Sequence, residues 1–163
     1  MYRQSSRLSH RDDFDHNIYQ LNFSGDLKLW RHHRSLTTLH YGWISGDAPP
    51  QELFSLGGMT TLPGYPDDSF VGPKVARASQ AIYLNASSWV GETSVLAPLR
   101  MILTINAGKV WENNERFETA DMNVDVGCEL DYKEILRFGV AVPVGPRRAE
   151  SPRVYIGWGQ HVW

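Results

Sequence analysis

The amino-acid sequence predicts an all-β fold of antiparallel strands, and three observations support this prediction. Apolar and polar residues alternate with a period of two in several runs, as they do in strands whose two faces differ. Glycine, proline, asparagine and aspartate cluster between these runs, where turns are expected. Hydrophobic residues make up 42% of the 163 residues, so the chain is too apolar to be disordered. This length allows about one domain.

The first two predicted strands show the alternation clearly. Apolar residues occupy the odd positions of 19–29, and mostly polar residues lie between them. A second run, 38–43, has Leu, Tyr and Trp on one face and leads into the turn-rich stretch 45–50. The irregular segment 57–73 contains four glycines and three prolines, and we expect it to form a long loop.

Five later strands complete the prediction. The clearest of them runs from Leu99 toward Trp111, with apolar side chains at the odd positions. In the next strand, 121–130, every second position also carries a polar or small residue, which is typical of a sheet with one face in contact with water. With the first two they make about seven strands. The five later strands are predicted at residues 74–85, 99–108, 121–130, 136–142 and 153–163.

Charge and composition exclude several classes of protein. The chain has 16 Lys and Arg against 18 Asp and Glu, without the basic excess of nucleic-acid-binding proteins. No run approaches the roughly 18 consecutive apolar residues of a membrane-spanning helix. The single cysteine, Cys128, can form no internal disulfide. Residues 1–16 lack the apolar region of a secretory signal, so we expect either a cytoplasmic chain or a longer precursor.

Patterns of catalytic and metal-binding residues are missing from the sequence. It contains no Gly-x-Ser-x-Gly nucleophile elbow and no His-Glu-x-x-His zinc motif. The six histidines and the cysteine do not show metal-ligand spacing. We therefore expect no catalytic residue, no metal and no cofactor in this chain.

Alternation of this kind leaves two architectures open. A soluble all-β ligand-binding domain would turn its apolar face inward onto a core, whereas an outer-membrane barrel would turn it outward onto lipid. Long strands and a chain that stops on an aromatic residue favour the barrel. Aromatic residues near strand ends favour it too, because such residues concentrate at membrane interfaces. These are Trp30, Trp43, Trp89, Trp111 and Trp163.

Three segments resemble the BamA/TamA-type outer-membrane barrel superfamily, often called bacterial surface antigens. FSLGGMTTLPGY (54–65) is similar to the family's strand and long lumen loop, although the family has an arginine where this chain has Pro63. LTINAGKVW (103–111) resembles a strand that ends in Gly-x-Val-Trp, and RVYIGWGQHVW (153–163) resembles the terminal strand. Two segments, Leu-Pro-Gly-Tyr (62–65) and residues 140–159, are most similar to the barrels of patatin-like outer-membrane proteins.

The resemblance implies an antiparallel meander that forms the C-terminal part of a transmembrane outer-membrane β-barrel, with residues 1–16 disordered or incomplete and 17–163 in the barrel. It implies that the loop within 57–73 lies in the lumen, with Gln80 and Asn106 facing it. These two positions are acidic in the family and neutral here, so we expect neutral docking of the loop. The loop motif is Leu62, Pro63, Gly64 and Tyr65.

The resemblance also implies a function and partners. The chain would be a non-catalytic module that anchors or translocates a passenger domain, or takes part in outer-membrane protein assembly. A patatin-like lipase would belong to the full-length protein. The expected partners are outer-membrane lipid, the barrel-assembly machinery, and missing N-terminal strands or a passenger domain, but no nucleic acid. The implied C-terminal assembly signal consists of Tyr155, Gly157, Gly159 and Trp163.

Overall fold

The computed structural model describes residues 7–8, 16–30, 33–118, 121–144 and 151–158. Ten strands fill most of these ranges, with one 3₁₀ turn (Pro50–Glu52) and one short helix, α1 (Ser87–Val90). The strands are β1 (Arg7–Leu8), β2 (His16–Lys28), β3 (Arg34–Gly46), β4 (Phe54–Leu56), β5 (Phe70–Gly72), β6 (Lys74–Asn85), β7 (Leu99–Trp111), β8 (Asn123–Tyr132), β9 (Leu136–Pro143) and β10 (Arg153–Trp158).

Eight of the strands form one antiparallel sheet in the order β1-β2-β3-β6-β7-β8-β9-β10. Strands that neighbour each other in the sequence therefore also pair in space, except that β3 pairs with β6 across the connection 47–73. The predicted all-β meander is confirmed, and β6 has the bounds expected from the sequence. In the described ranges, no helix combines the length and apolar content that crossing a membrane requires.

Several strands differ from their predicted bounds, and three further details differ from the sequence prediction. The segment 57–73 is not irregular throughout, because β5 lies in it and pairs with β4 as a small second sheet. A short strand, Arg7–Leu8, lies in the segment expected to be disordered or incomplete, and β2 already begins at His16. The terminal strand is described as far as Trp158, and residues 159–163 lie outside the described ranges.

The two faces of the large sheet are chemically different. We call the side on which the connection 47–73 packs the loop face, and the opposite side the open face. The loop face carries polar and small residues, such as Asn106 on β7 and Asp125 on β8, which lie directly opposite each other. The side chains alternate strictly between the faces because successive residues of a strand point to opposite sides.

Large apolar side chains cover the open face and remain exposed. Among the described strand residues of this face, only Lys74 and Lys109 carry a charge, and both lie near one end of the sheet. The soluble alternative places these apolar side chains in a core, but here they are accessible. They include Leu21, Phe23, Leu27, Leu39, Ile82, Leu103, Ile105, Val126, Leu130, Leu136, Phe138, Val142, Val154, Ile156 and Trp158.

The main apolar core lies between the connection 47–73 and the loop face. Leu56, Leu62 and Tyr65 from the connection pack with Val75 of β6, and each is at most 2% exposed. Gly108 of β7 permits this close packing, because a Cβ atom there would lie 2.7 Å from Leu56 Cδ1. The buried side chains hold the connection against the sheet through the hydrophobic effect.

The connections at the two ends of the sheet differ in length. At the loop end, the strands are joined by residues 47–73, 112–122 and 144–152. At the opposite end, which we call the turn end, they are joined by 29–33, 86–98 and 133–135. The longest connection and the packed core therefore lie toward the same end.

Aromatic residues border the open face at both ends. At the loop end, Tyr19 stacks on Trp43 with ring centroids 4.7 Å apart, and Tyr41 bridges Trp43 and Trp111. Near the turn end, Trp158 is 83% exposed on the open face. The open face is thus an apolar band with aromatic margins.

Candidate functional site

The segment from Gly57 to Tyr65 forms a compact loop that is closed by its own hydrogen bonds. The Gly58 amide donates to the Tyr65 carbonyl at 3.0 Å, and the Thr61 hydroxyl donates to the Gly57 carbonyl at 2.6 Å. Gly57 and Gly58 have φ values of 122° and 77°, a region in which a side chain would be strained. These two glycines turn the chain back toward the sheet, so the Leu62–Tyr65 motif lies on the loop face.

A carboxylate of β8 holds the tip of this loop. The Gly64 amide donates to Asp125 Oδ2 at 2.9 Å, and Asn106 Nδ2 donates to Asp125 Oδ1 at 2.8 Å. Asn106 Oδ1 in turn accepts a hydrogen bond of 2.6 Å from the Ser79 hydroxyl. Ser79, Asn106 and Asp125 lie side by side in register on β6, β7 and β8. The loop is therefore attached to a polar row that crosses three strands.

Two arginines and a tyrosine make further attachments. Arg77 Nη1 donates to the Thr60 carbonyl at 2.9 Å, and Arg153 of β10 donates to the Tyr65 carbonyl. The Tyr65 hydroxyl donates to the Val124 carbonyl at 3.3 Å. Because these contacts reach β6, β8 and β10, the loop connects the last strand of the sheet to strands that lie two and four places away.

The two strand positions that the resemblance places against the loop lie on opposite faces of the sheet. Asn106 lies on the loop face, where its Nδ2 donates to the Asp125 carboxylate that holds the loop tip. Gln80 instead lies on the open face, where it accepts a hydrogen bond from Thr37 at 2.5 Å and donates to Ser35 at 2.7 Å. The loop-facing residue of β6 at this level is Ser79. A shift of one residue along a strand exchanges the faces, which explains the error.

Gly64 and Tyr65 contact the sheet, but the acceptor for the Gly64 amide is a carboxylate rather than a neutral group. Asp125 is completely buried, and its two oxygens accept hydrogen bonds from the loop and from Asn106. A buried carboxylate needs such donors, because an unsatisfied buried charge costs several kcal/mol. A signal was present in the sequence: Asp125 lies in the alternating polar row of β8 between Asn123 and Gly127.

A second polar cluster lies on the loop face near the turn end. Asp131 is completely buried, and its Oδ2 accepts hydrogen bonds from Arg100 at 3.1 Å and Arg137 at 3.0 Å. Arg100 also forms an ion pair with Glu134 at 2.9 Å. The charges of this cluster compensate one another, so it links β7, β8 and β9 without leaving a free charge on Asp131.

The described part of the predicted C-terminal signal has one clear interaction. The Tyr155 hydroxyl donates to Glu129 Oε1 at 2.8 Å, and the Tyr155 ring covers Gly139, which lies directly opposite on β9. Gly157 is part of β10. Gly159 and Trp163 lie outside the described residues. Within the described ranges, no group of three or more His, Cys, Asp or Glu side chains is arranged to hold a metal ion.

Comparison with known proteins shows which known fold the chain resembles. No protein-family model matches the chain, and no curated protein matches it significantly in sequence. Among solved structures, it is similar to BamA from Haemophilus ducreyi lacking POTRA domains 1–3, with a TM-score of 0.71 and 18% identity. The match covers 86% of this chain and 34% of the BamA chain, so this chain spans about a third of that protein. The chain therefore has the fold of the BamA barrel.

Proposed function

We propose that this chain forms part of the wall of a bacterial outer-membrane β-barrel, with the open face on lipid and the loop face toward the lumen. The observation that carries the proposal is the contrast between the two faces. A contiguous apolar surface of this size is rare on a soluble monomer, and it marks a lipid or protein contact. Outward apolar and inward polar side chains are the pattern of transmembrane barrels.

The few polar side chains in the middle of the open face support this orientation. Gln80, Thr37 and Ser35 hydrogen-bond to one another across β6 and β3. Polar groups in a bilayer core have no water to bind, so they require partners within the protein. On a lipid-facing surface this mutual pairing removes most of the cost of the three side chains.

The ends of the sheet suggest how the wall is oriented. Bacterial barrels have longer extracellular connections and shorter periplasmic turns, with aromatic residues at both interfaces. On average, the connections 47–73, 112–122 and 144–152 at the loop end are longer than 29–33, 86–98 and 133–135 at the turn end, so we assign the loop end to the outside. The Tyr19–Trp43 stack then lies at the outer interface and Trp158 near the periplasmic one.

A barrel of this kind needs more strands than the large sheet contains. A self-closed eight-stranded barrel has an interior just wide enough for side chains, whereas here a folded loop lies on the inner face. We propose that the chain serves as the C-terminal part of the barrel, over 17–163, and that further N-terminal strands complete the wall.

The role of the module is proposed to be non-catalytic. It would anchor or translocate a passenger domain, or take part in outer-membrane protein assembly, in contact with outer-membrane lipid and the barrel-assembly machinery. The sequence Leu62–Tyr65, without an arginine, supports a relation to the barrels of patatin-like outer-membrane proteins. A lipase domain in the full-length protein would then be the passenger.

Substitution of one open-face residue by arginine tests the membrane assignment. Ile105 lies in the middle of β7 and is 50% exposed, and Val95 lies in the connection 86–98 and is 84% exposed. At the bilayer midplane, arginine costs about 2 to 4 kcal/mol, and the cost falls toward zero near the interfaces. We expect Ile105→Arg to reduce insertion into vesicles strongly and Val95→Arg to leave it nearly unchanged. Equal insertion of both variants would contradict the lipid assignment.

The C-terminal signal is a separate proposal. In this view Tyr155, Gly157, Gly159 and Trp163 are read by the assembly machinery through strand pairing at an edge. Deletion of Trp163 in the full-length protein should lower its amount in the outer membrane without lowering its synthesis. Deletion of an exposed residue such as Glu92 is the matched control. An unchanged outer-membrane level after Trp163 deletion would contradict this role.

A further inference from the structure

The last strand of the large sheet, β10, has few contacts that hold it in place. It pairs with β9 over six residues, and no described strand pairs with its other edge. On the open face, Val154, Ile156 and Trp158 are 62% to 83% exposed, so they pack little against the rest of the chain. Segments with few buried contacts open locally at a low cost in free energy. The stability of β10 therefore depends strongly on its side chains on the loop face.

Two side chains on the loop face of β10 reach past β9. The Tyr155 hydroxyl donates to Glu129 Oε1 at 2.8 Å, which ties β10 directly to β8. The Arg153 guanidinium donates to the Tyr65 carbonyl, which ties β10 to the loop Gly57–Tyr65. Among the described residues, Arg153 forms no ion pair with a carboxylate. One of the two ties thus passes through the loop, and the other does not.

The two attachments of the loop tip lie on neighbouring residues. The Gly64 amide donates to Asp125 of β8 at 2.9 Å, and the carbonyl of the next residue, Tyr65, accepts the hydrogen bond from Arg153. The same carbonyl accepts a hydrogen bond of 3.0 Å from the Gly58 amide, which closes the loop, and Tyr65 is completely buried. Because the two residues share a planar peptide group, one attachment cannot move far without displacing the other. Asp125 and Arg153 are therefore linked through the loop.

We propose that the docked loop holds β10 in place, with Asp125 as its attachment to the wall and Arg153 as its attachment to β10. While the loop is docked, the free edge of β10 keeps a fixed position relative to β8. When the loop tip leaves Asp125, the Arg153 contact is lost and β10 separates more easily from β9. Arg153 is a positioning residue, because it acts through the loop. One consequence rests on the proposed function: the free edge of β10 is where further strands would close the barrel.

Hydrogen exchange of the β10 amides, measured on the full chain in uncharged detergent micelles, tests the contribution of Arg153. Arg153→Gln removes the charge and should accelerate this exchange about tenfold or more, since a hydrogen bond from a charged group is lost. Arg153→Lys keeps the charge and should restore part of the protection. Arg116→Gln is the matched control, because Arg116 is exposed in the connection 112–122, and it should change the exchange less than about twofold. Equal acceleration in Arg153→Gln and Arg116→Gln would overturn the proposal.

Detachment at the other end of the loop tests the link itself. The hydrogen bonds of Asp125 come from Gly64 and Asn106 and do not involve β10, yet Asp125→Ala should accelerate β10 exchange at least about threefold. In the Asp125→Ala background, Arg153→Gln should add less than about twofold, since its contact has already been lost. Tyr155→Phe should keep its full effect in that background, because its hydrogen bond does not pass through the loop. Independent effects, in which the acceleration factors of Asp125→Ala and Arg153→Gln multiply, would refute the link.

A second variant keeps the test valid if Asp125→Ala does not fold. Gly64→Ala brings a Cβ atom to 2.7 Å from Asp125 Cβ, so the loop tip and Asp125 must separate. We expect the same acceleration of β10 exchange and the same loss of the Arg153→Gln effect. Unchanged β10 exchange in either folded variant would overturn the proposal. Because the exchange is measured in micelles, this result is independent of the vesicle test of the lipid assignment.

Discussion

Replacement of Asp125 by alanine should detach the loop tip from the sheet. The substitution removes both oxygens that accept hydrogen bonds, at 2.9 Å from the Gly64 amide and at 2.8 Å from Asn106 Nδ2. Each hydrogen bond to a charged group contributes about 1.5 to 3 kcal/mol. The two bonds together set an upper limit of about 3 to 6 kcal/mol on the loss of stability. Relief from burying the carboxylate reduces this value.

Hydrogen exchange at the Gly64 amide measures the effect directly. Loss of about 1.5 to 3 kcal/mol of local protection corresponds to exchange that is about 10 to 150 times faster. Asp125→Asn should give a smaller acceleration, because its one remaining acceptor oxygen can serve only one of the two donors well. Asp121→Ala is the control, since that carboxylate is exposed and pairs with Lys109. If Gly64 exchange in Asp125→Ala matches the unsubstituted chain, the attachment of the loop by Asp125 is refuted.

Three further substitutions test the same geometry. Gly64→Ala places a Cβ 2.7 Å from Asp125 Cβ, so we expect the free energy of unfolding in urea to fall by about 1 to 3 kcal/mol. Gly25→Ala is the control and should cost less, because the nearest atom lies 3.5 Å from its Cβ. Tyr155→Phe leaves the buried Glu129 carboxylate without its hydroxyl donor and should lower unfolding stability by about 1 to 3 kcal/mol, a result that an unchanged urea midpoint would contradict. Ser79→Ala should accelerate Gly64 exchange and Gln80→Ala should not, and the reverse order would refute the face assignment.

The strands could be predicted from the sequence because their signal is local. A period of two is visible within a single strand, and turn residues mark where each strand stops. The predicted bounds of β6 agree with the structure, and β9 differs from its prediction only at its last residue. The short strand β5 was hidden in a glycine- and proline-rich segment, because three residues are too few to show alternation.

The docking contacts could be predicted only in part, because they depend on register between distant segments. Asn106 could be placed, but Gln80 and Ser79 differ by one position, and only the pairing of β6 with β7 decides which one faces the loop. The carboxylate of Asp125 could be seen in the polar row of β8. That it binds the Gly64 amide depends on how the glycines at 57 and 58 turn the loop, which no local pattern encodes.

The order of strands in the large sheet has a consequence for how the chain folds. Most strand pairs join neighbours in the sequence, so hairpins can form early and add to one another at low entropic cost. Pairing of β3 with β6 is different, because it must first close the 47–73 segment. The cost of closing such a segment rises only slowly with its length, and the β4–β5 hairpin shortens the part that remains flexible. Docking of the loop and joining of the two halves of the sheet are therefore expected to occur as one cooperative step.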